Sequence, residues 1–301
     1  MDSIQGKFVS NSFENRFTII STTSEAKKAI LISSVEYDKN NQKFSCRFVN
    51  NLNDNLDIDY VNLDQVSLTH KSHLLLFYYN NELIYIDSKL GSVEARKSFN
   101  DSNSILDYFV RNSNLTNNNK TFFHQVENTD DFVGTNNQRQ IVYIRYNANA
   151  KAKIQIIVNV KLESKIDQMG LFKHLLCAYS SLKNEFYVYN LKLTASSNEV
   201  YSNQVFRTSF SENKLKYACV SDDSNYVAIL DEAKFLSVFR LNNGKRIAYV
   251  SLYNEINSLQ MSDHFVVMAM QDKRILSYLL VDPLIPEHQN RISKLESRYF
   301  G

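Results

Sequence analysis

Six histidines, at positions 70, 73, 124, 174, 264 and 288, are the first residues to weigh for chemistry in this chain of 301. His70 and His73 make an H-x-x-H pair at the entrance of the apolar run "HLLLFYY". Two imidazoles can share a metal only if both point the same way, and an odd separation on a strand sends them to opposite faces. A metal site is therefore not expected there. His73, His174 and His264 each stand at the start of a similar apolar run. A recurrent histidine in that place suits a structural hydrogen bond better than proton transfer.

Carboxylates come close together at Asp54, Asp57 and Asp59, at Asp130-Asp131 and at Asp222-Asp223. Paired carboxylates can divide acid and base work when burial drives their pKa values apart. These groups are flanked by Ser and Asn, the setting in which Asp accepts backbone N–H bonds in turns. Turn chemistry is the expectation. The sequence contains no D-x-D-x-D-G calcium loop, no G-x-S-x-G elbow and no glycine-rich phosphate loop, and it holds only 6 glycines. It assigns no catalytic residue, no cofactor-binding residue and no metal ligand, and no cofactor. An enzyme is not expected.

Cys46, Cys177 and Cys219 are far apart and sit in or beside apolar runs. An odd number of scattered thiols suits a reducing compartment, and buried free thiols are expected. The start "MDSIQGKFVSNSF" lacks the basic and apolar parts of a signal peptide. No apolar run approaches the ~18 residues of a membrane span. A cytoplasmic protein is the expectation. The sequons Asn114-Leu-Thr and Asn119-Lys-Thr carry little weight in an Asn-rich segment. With 34 basic and 32 acidic residues the net charge is +2. That balance lacks the concentrated positive field that nucleic acid or an anionic membrane would need. The basic tail "HQNRISKLESR" has Ile292 and Leu295 on one face of a short helix that Pro286 could begin, with Arg291, Lys294 and Arg298 beside them. It reads as a terminal helix packed on the rest or a frayed tail, with a partner-docking helix as the functional alternative.

Strands must position whatever the chain does. Two Pro and 6 Gly against 18 Tyr and 19 Phe is a strand-friendly composition. Short aromatic or β-branched runs bounded by Asn, Asp, Ser or Gly fill the chain, too short for helices. "HLLLFYYNNELIYIDSKLGSVEARKSF" and "YVAILDEAKFLSVFRLNNGKRIAYVSL" share one grammar: apolar strand, polar break, apolar strand, Gly-bearing turn, outer strand. Asp87 to Gly91 and Arg240 to Gly244 correspond. A period near ~40 residues with three or four strands per unit is the mark of propeller blades. The expected fold is an all-β propeller of about six to seven blades, or part of one. Blades fall at 17–49, 58–99, 104–160, 174–210, 215–252 and 256–281, within a propeller spanning 1–281, and 282–301 forms the tail or short helix. Inner strands should be apolar on both faces, because blades stack on both sides. The segments 111–120 and 127–138 read as long mobile loops. The last unit lacks an outer strand, so Lys7–Phe13 is expected to pair with 274–281 and close a ring.

The units at 215–252 and 256–281 resemble WD-repeat blades. Phe239-Arg240 and Ile86-Asp87 stand where the Trp-Asp dipeptide would be, although the chain has no Trp. The end, "MAMQDKRILSYLLVDPLIPEHQNRISKLESR", is similar to the C-terminus of NACHT-and-WD-repeat proteins. That resemblance implies a non-catalytic scaffold or sensor propeller that meets protein partners, as the C-terminal part of a signalling protein. It carries over no nucleotide chemistry, since the phosphate loop is absent. No nucleic acid, membrane or small-molecule substrate is expected as partner. The alternative is a propeller enzyme, hydrolase or quinoprotein-like, with its site over a central channel.

Overall fold

The computed structural model describes residues 5–11, 16–22, 30–38, 43–51, 66–68, 74–87, 92–99, 108–117, 119–193, 200–262, 265–282, 284–286, 288 and 290. The fold is all-β. Among the described residues its strands form six sheets in chain order, mostly antiparallel meanders of four, which is the topology of a propeller blade. The chain divides into two compact units. One comprises Met1–Asn112, Lys120–Glu163 and Leu193–Tyr201, and the other Ser113–Asn119, Ser164–Lys192 and Ser202–Gly301.

In the first unit the first sheet runs Gln5–Asn11, Arg16–Thr22, Ile30–Asp38, Lys43–Asn51. This corrects the expected ring closure. Gln5–Asn11 pairs along its whole length with Arg16–Thr22, from Gln5 opposite Thr22 to Asn11 opposite Arg16. The first sheet thus starts at Gln5. A short connection lets a strand meet its sequence neighbour at little loop-closure cost, whereas pairing with the far end of the chain costs more. The second sheet is Val66–Leu68, Leu74–Tyr79, Glu82–Asp87, Val93–Ser98. Its central hairpin turns on Asn80 and Asn81, both left-handed at φ 47° and 58°. Asn tolerates that region better than most residues, and the pair makes the turn that matches strand twist. The third sheet is Phe123–Gln125, Phe132–Asn136, Gln140–Tyr146, Ile154–Lys161, with Phe109–Val110 also pairing to Phe132–Asn136. The two sheets bury Leu76, Tyr78 and Tyr85 against Phe109, Phe123, Phe132 and Ile144. Tyr78 meets Phe109 and Phe122 edge-on, at 5.1 and 4.9 Å between ring centres.

The fourth sheet, most of it in the second unit, carries the run Gln168–Phe172, Leu175–Ser180, Glu185–Leu193, Val200–Ser209. The fifth is Leu215–Val220, Tyr226–Asp231, Phe235–Arg240, Arg246–Ser251. The sixth has three strands among the described residues, Ile256–Met261, Phe265–Met270 and Ile275–Leu279. Cys177, Phe186 and Val188 pack on Val227 and Ile229 from one side of the fifth sheet. Leu236 and Val238 pack with Leu259, Val266 and Met268 on the other.

One set of backbone bonds recurs. A left-handed residue closes the second turn: Asn81, Arg139, Asn184 and Lys234, with φ of 58°, 62°, 53° and 68°. Its carbonyl accepts the N–H of the residue just past the outer strand: Phe99, Leu162, Phe210 and Leu252, at 2.7–2.9 Å. The expected correspondence of Asp87 with Arg240 holds in the backbone. Asp87 N–H donates to Ser92 O and Arg240 N–H to Lys245 O, both at 2.9 Å. A register shift precedes each, between Tyr85 and Ile86 and between Val238 and Phe239.

The two expected loops are not loops throughout. Phe132–Asn136, inside 127–138, is a strand buried along its full length. Within 111–120, Asn112–Asn114 pairs in parallel with Gln168–Phe172, and Leu115 is 0 % exposed. Asn114 Oδ1 accepts from Thr116 N and Oγ1, and Asn117 Oδ1 accepts from Asn119 N. Asn orders this segment by capping its own turns. In the tail, Pro286, His288 and Asn290 have helical backbone, and 291–301 lie outside the described residues.

Candidate interaction surface

The third strand of the fifth sheet departs from the pattern of buried inner strands. Leu74–Tyr79, Glu82–Asp87 and Leu175–Ser180 are buried on both faces over nearly their whole length. Phe235–Arg240 alternates instead: Leu236, Val238 and Arg240 are buried, while Phe235, Ser237 and Phe239 are half-buried. Residues i and i+2 share a face. Cross-strand pairing sets Ser237 opposite Tyr249 and Phe239 opposite Arg246, so these five side chains form one open face. The Phe235 and Tyr249 rings stack 5.1 Å apart at 10°. The Arg246 guanidinium lies 4.7 Å over the Tyr249 ring, a cation–π contact. Tyr249 is still 52 % exposed.

This face is the floor of a groove of about 380 Å³. The opposite wall is Thr208, Ser209 and Phe210 at the end of the fourth sheet's outer strand, followed by Glu212 and Asn213. Val200–Ser209 is the last strand in its sheet order, so its outer edge has no partner strand among the described residues. Stacked half-exposed rings, a guanidinium and a nearby strand edge can hold an extended chain. They hold no nucleophile–base pair.

The residues singled out from sequence lie elsewhere. His70, His73, His264, Asp54, Asp57 and Asp59 lie outside the described residues, as do Arg291, Ile292, Lys294, Leu295 and Arg298. His124 is buried in Phe123–Gln125, and His174 is exposed in a hairpin turn, where its carbonyl accepts Leu191 N–H. Asp223 accepts bonds from Ser221 Oγ and from Asn225 N and Nδ2, which is turn chemistry. Asp131 differs: it is buried and accepts Tyr143 Oη at 2.8 Å and Tyr146 N at 3.0 Å. Burial raises its pKa, against the pull of those two donors. Among the described residues no group of three His, Cys, Asp or Glu could hold a metal ion.

A second buried cluster involves Arg240, the last residue of Phe235–Arg240. Arg240 and Asp282 form a two-pronged ion pair, with Nε to Oδ2 at 2.5 Å. Tyr226 Oη donates to the same Oδ2 at 2.9 Å, and Leu284 N donates to Oδ1. His288 Nδ1 accepts the N–H of Asp282 at 3.0 Å. The Arg240 bonds hold the Asp282 carboxyl down at about 2. Both Asp282 oxygens are engaged, so the cluster fastens the chain beyond the last strand.

The sequence reading passed over Phe235, Phe239, Arg246 and Tyr249. The one signal was Ser237: a polar residue amid an otherwise apolar strand marks an open face. No protein-family model matches the chain, and no curated protein is significantly similar to it. Among solved structures it is similar to the Myceliophteria thermophila Cps50 (Swd1) β-propeller domain, at 10 % identity and a TM-score of 0.46, covering 93 % of this chain and 100 % of that one.

Proposed function

We propose that the chain is a non-catalytic scaffold for protein interaction, and that the face of Phe235, Ser237, Phe239, Arg246 and Tyr249 receives a partner's extended segment. The observation that carries this reading is the stacked, half-exposed Phe235–Tyr249 pair with Arg246 on top. Aromatic and Arg side chains concentrate binding energy at interfaces. Added strands use a free edge for backbone bonds and alternate side chains for choice of partner. Glu212 and Asp231 also line the groove, but Arg246 has no carboxylate within ion-pair distance among the described residues, so its guanidinium can take one carboxylate set among the apolar residues of a segment. The resemblance of the last part to NACHT-and-WD-repeat proteins supports placing such a scaffold in a cytoplasmic signalling protein. The alternative of a propeller enzyme has no constellation among the described side chains in its favour.

Panning a random-peptide display library on the purified chain tests the reading. Enriched peptides should alternate apolar residues with a carboxylate and lose binding to a Phe235→Ser/Tyr249→Ser variant with an unchanged melting curve. No enrichment, or binders indifferent to that variant, would contradict it.

A further inference from the structure

A second groove belongs to the first unit and has another chemistry. Its floor is the outer strand of the second sheet, Val93–Ser98, and its rim is the turn leading into Ile154–Lys161. Glu94, Ala95, Arg96, Lys97, Lys151, Ala152, Lys153 and Ile154 line about 330 Å³. Four cations face one carboxylate there, a surplus of three in one groove, on a chain whose whole net charge is +2. Lys153 is engaged: its Nζ lies 3.6 Å from the Glu94 carboxylate and donates to Glu94 O at 3.1 Å. Arg96 meets Glu82 only at 3.9 Å. Lys97 and Lys151 have no carboxylate within 4.0 Å among the described residues. Lys151 is exposed and Lys97 half-buried.

Val93–Ser98 ends its sheet order, so its outer edge has no partner strand among the described residues. Four residues of strand, 94–97, span about 13 Å, the reach of a short extended peptide. Ala95, Ala152 and Ile154 give that groove an apolar lining between its charges. Nucleic acid would need a longer basic stripe along successive phosphates. We infer that this groove binds an extended acidic peptide, laid beside Val93–Ser98 with its carboxylates on Lys97 and Lys151.

The groove shares no residue with the aromatic face, and the test separates the two. The probe is a fluorescein-labelled six-residue peptide alternating Glu and Val, read by anisotropy on the full chain. Its Gln counterpart and a labelled oligothymidylate are run alongside. The Glu peptide should bind at low salt, at least tenfold tighter than the Gln peptide, and weaken as salt rises. Lys151→Glu alone, in an exposed turn, and Lys97→Glu/Lys151→Glu should each cut affinity, the pair by tenfold or more. Tyr249→Ser should leave it unchanged. The inference is overturned if the Glu peptide does not bind, if the charge reversals leave its affinity intact, or if the oligothymidylate binds tighter. In those cases the lysines serve only to blunt a strand edge. Loss of the library binders with the Glu peptide retained would sink the aromatic-face reading and leave this one standing.

Discussion

At the residue scale, Arg240 ties the fifth sheet to the chain beyond the last strand. The guanidinium reaches Asp282, beyond the last strand, and Tyr226 shares that carboxylate. Removing one member of a buried pair strands the other charge, a change that commonly costs about 3–5 kcal/mol. Asp282→Asn should therefore lower the melting temperature by about 10 °C at pH 7. The pH dependence has a definite sign. The folded carboxyl sits at about 2, below its ordinary 3.8. Its contribution is complete above pH 4 and is lost as pH falls through about 2. Thermal melts from pH 7 to 2 should show the wild type and Asp282→Asn converging at the acid end. Parallel curves would contradict the pairing. Cys177 and Cys219 are buried, and burial pushes both thiols up. Neither should react with a disulfide reagent in the native state, and both should react after unfolding, as read by peptide mapping. The buried free thiols were legible from their apolar neighbours. Asp131 was not, because a carboxylate beside Asn and Thr looks the same whether the next strand is buried or open.

At the scale of elements, the segment 113–116 behaves as a strap within the second unit. Leu115 N–H donates to Met169 O, Leu115 O accepts Ala218 N–H, and Thr116 O accepts Leu259 N–H. Met169, Ala218 and Leu259 lie on Gln168–Phe172, Leu215–Val220 and Ile256–Met261, in three successive sheets. Leu115 itself joins the core with Cys177, Val188 and Val220. Leu115→Ala should cost about 2–4 kcal/mol, the range for emptying a tight apolar site. Urea unfolding followed at unit-specific probes should show the loss in the second unit, and a loss below about 0.5 kcal/mol would mean the strap is passive. Asn184 is a second such tie. Its Oδ1 accepts Tyr179 Oη, whose oxygen accepts Leu215 N–H, and its Nδ2 donates to Phe210 O and Asn213 O. Tyr78, Asn81 and Phe109 N–H repeat the arrangement in the first unit. Asn184→Ala removes these bonds and a residue suited to φ 53°, so a loss of about 1–3 kcal/mol is expected in the same unfolding experiment. Long apolar strands declared themselves in the sequence. Phe132–Asn136 and Gln168–Phe172 did not, because each carries a Gly and turn-forming neighbours. Gly134 and Gly170 are there for space: an added Cβ would lie 2.9 Å from Phe122 O and 3.0 Å from the Phe172 ring.

At the scale of the molecule, strand grammar and spacing were enough to foresee an all-β chain of repeated meanders. They could not say where the N-terminal strand pairs, since Gln5–Asn11 fits either end by pattern and only chain proximity selects Arg16–Thr22. Nor could they show which strand faces remain open. Phe235 and Phe239 read as core, and their openness follows from where the neighbouring sheet's outer strand stops, at Ser209. The proposed interaction therefore rests on a face that burial reveals. Hydrogen–deuterium exchange of the chain with and without a library-selected peptide measures that directly. The account predicts added protection within 235–249 and 203–213, and none in that set for Phe235→Ser/Tyr249→Ser. Protection confined to other segments, or no change at saturating peptide, would contradict it.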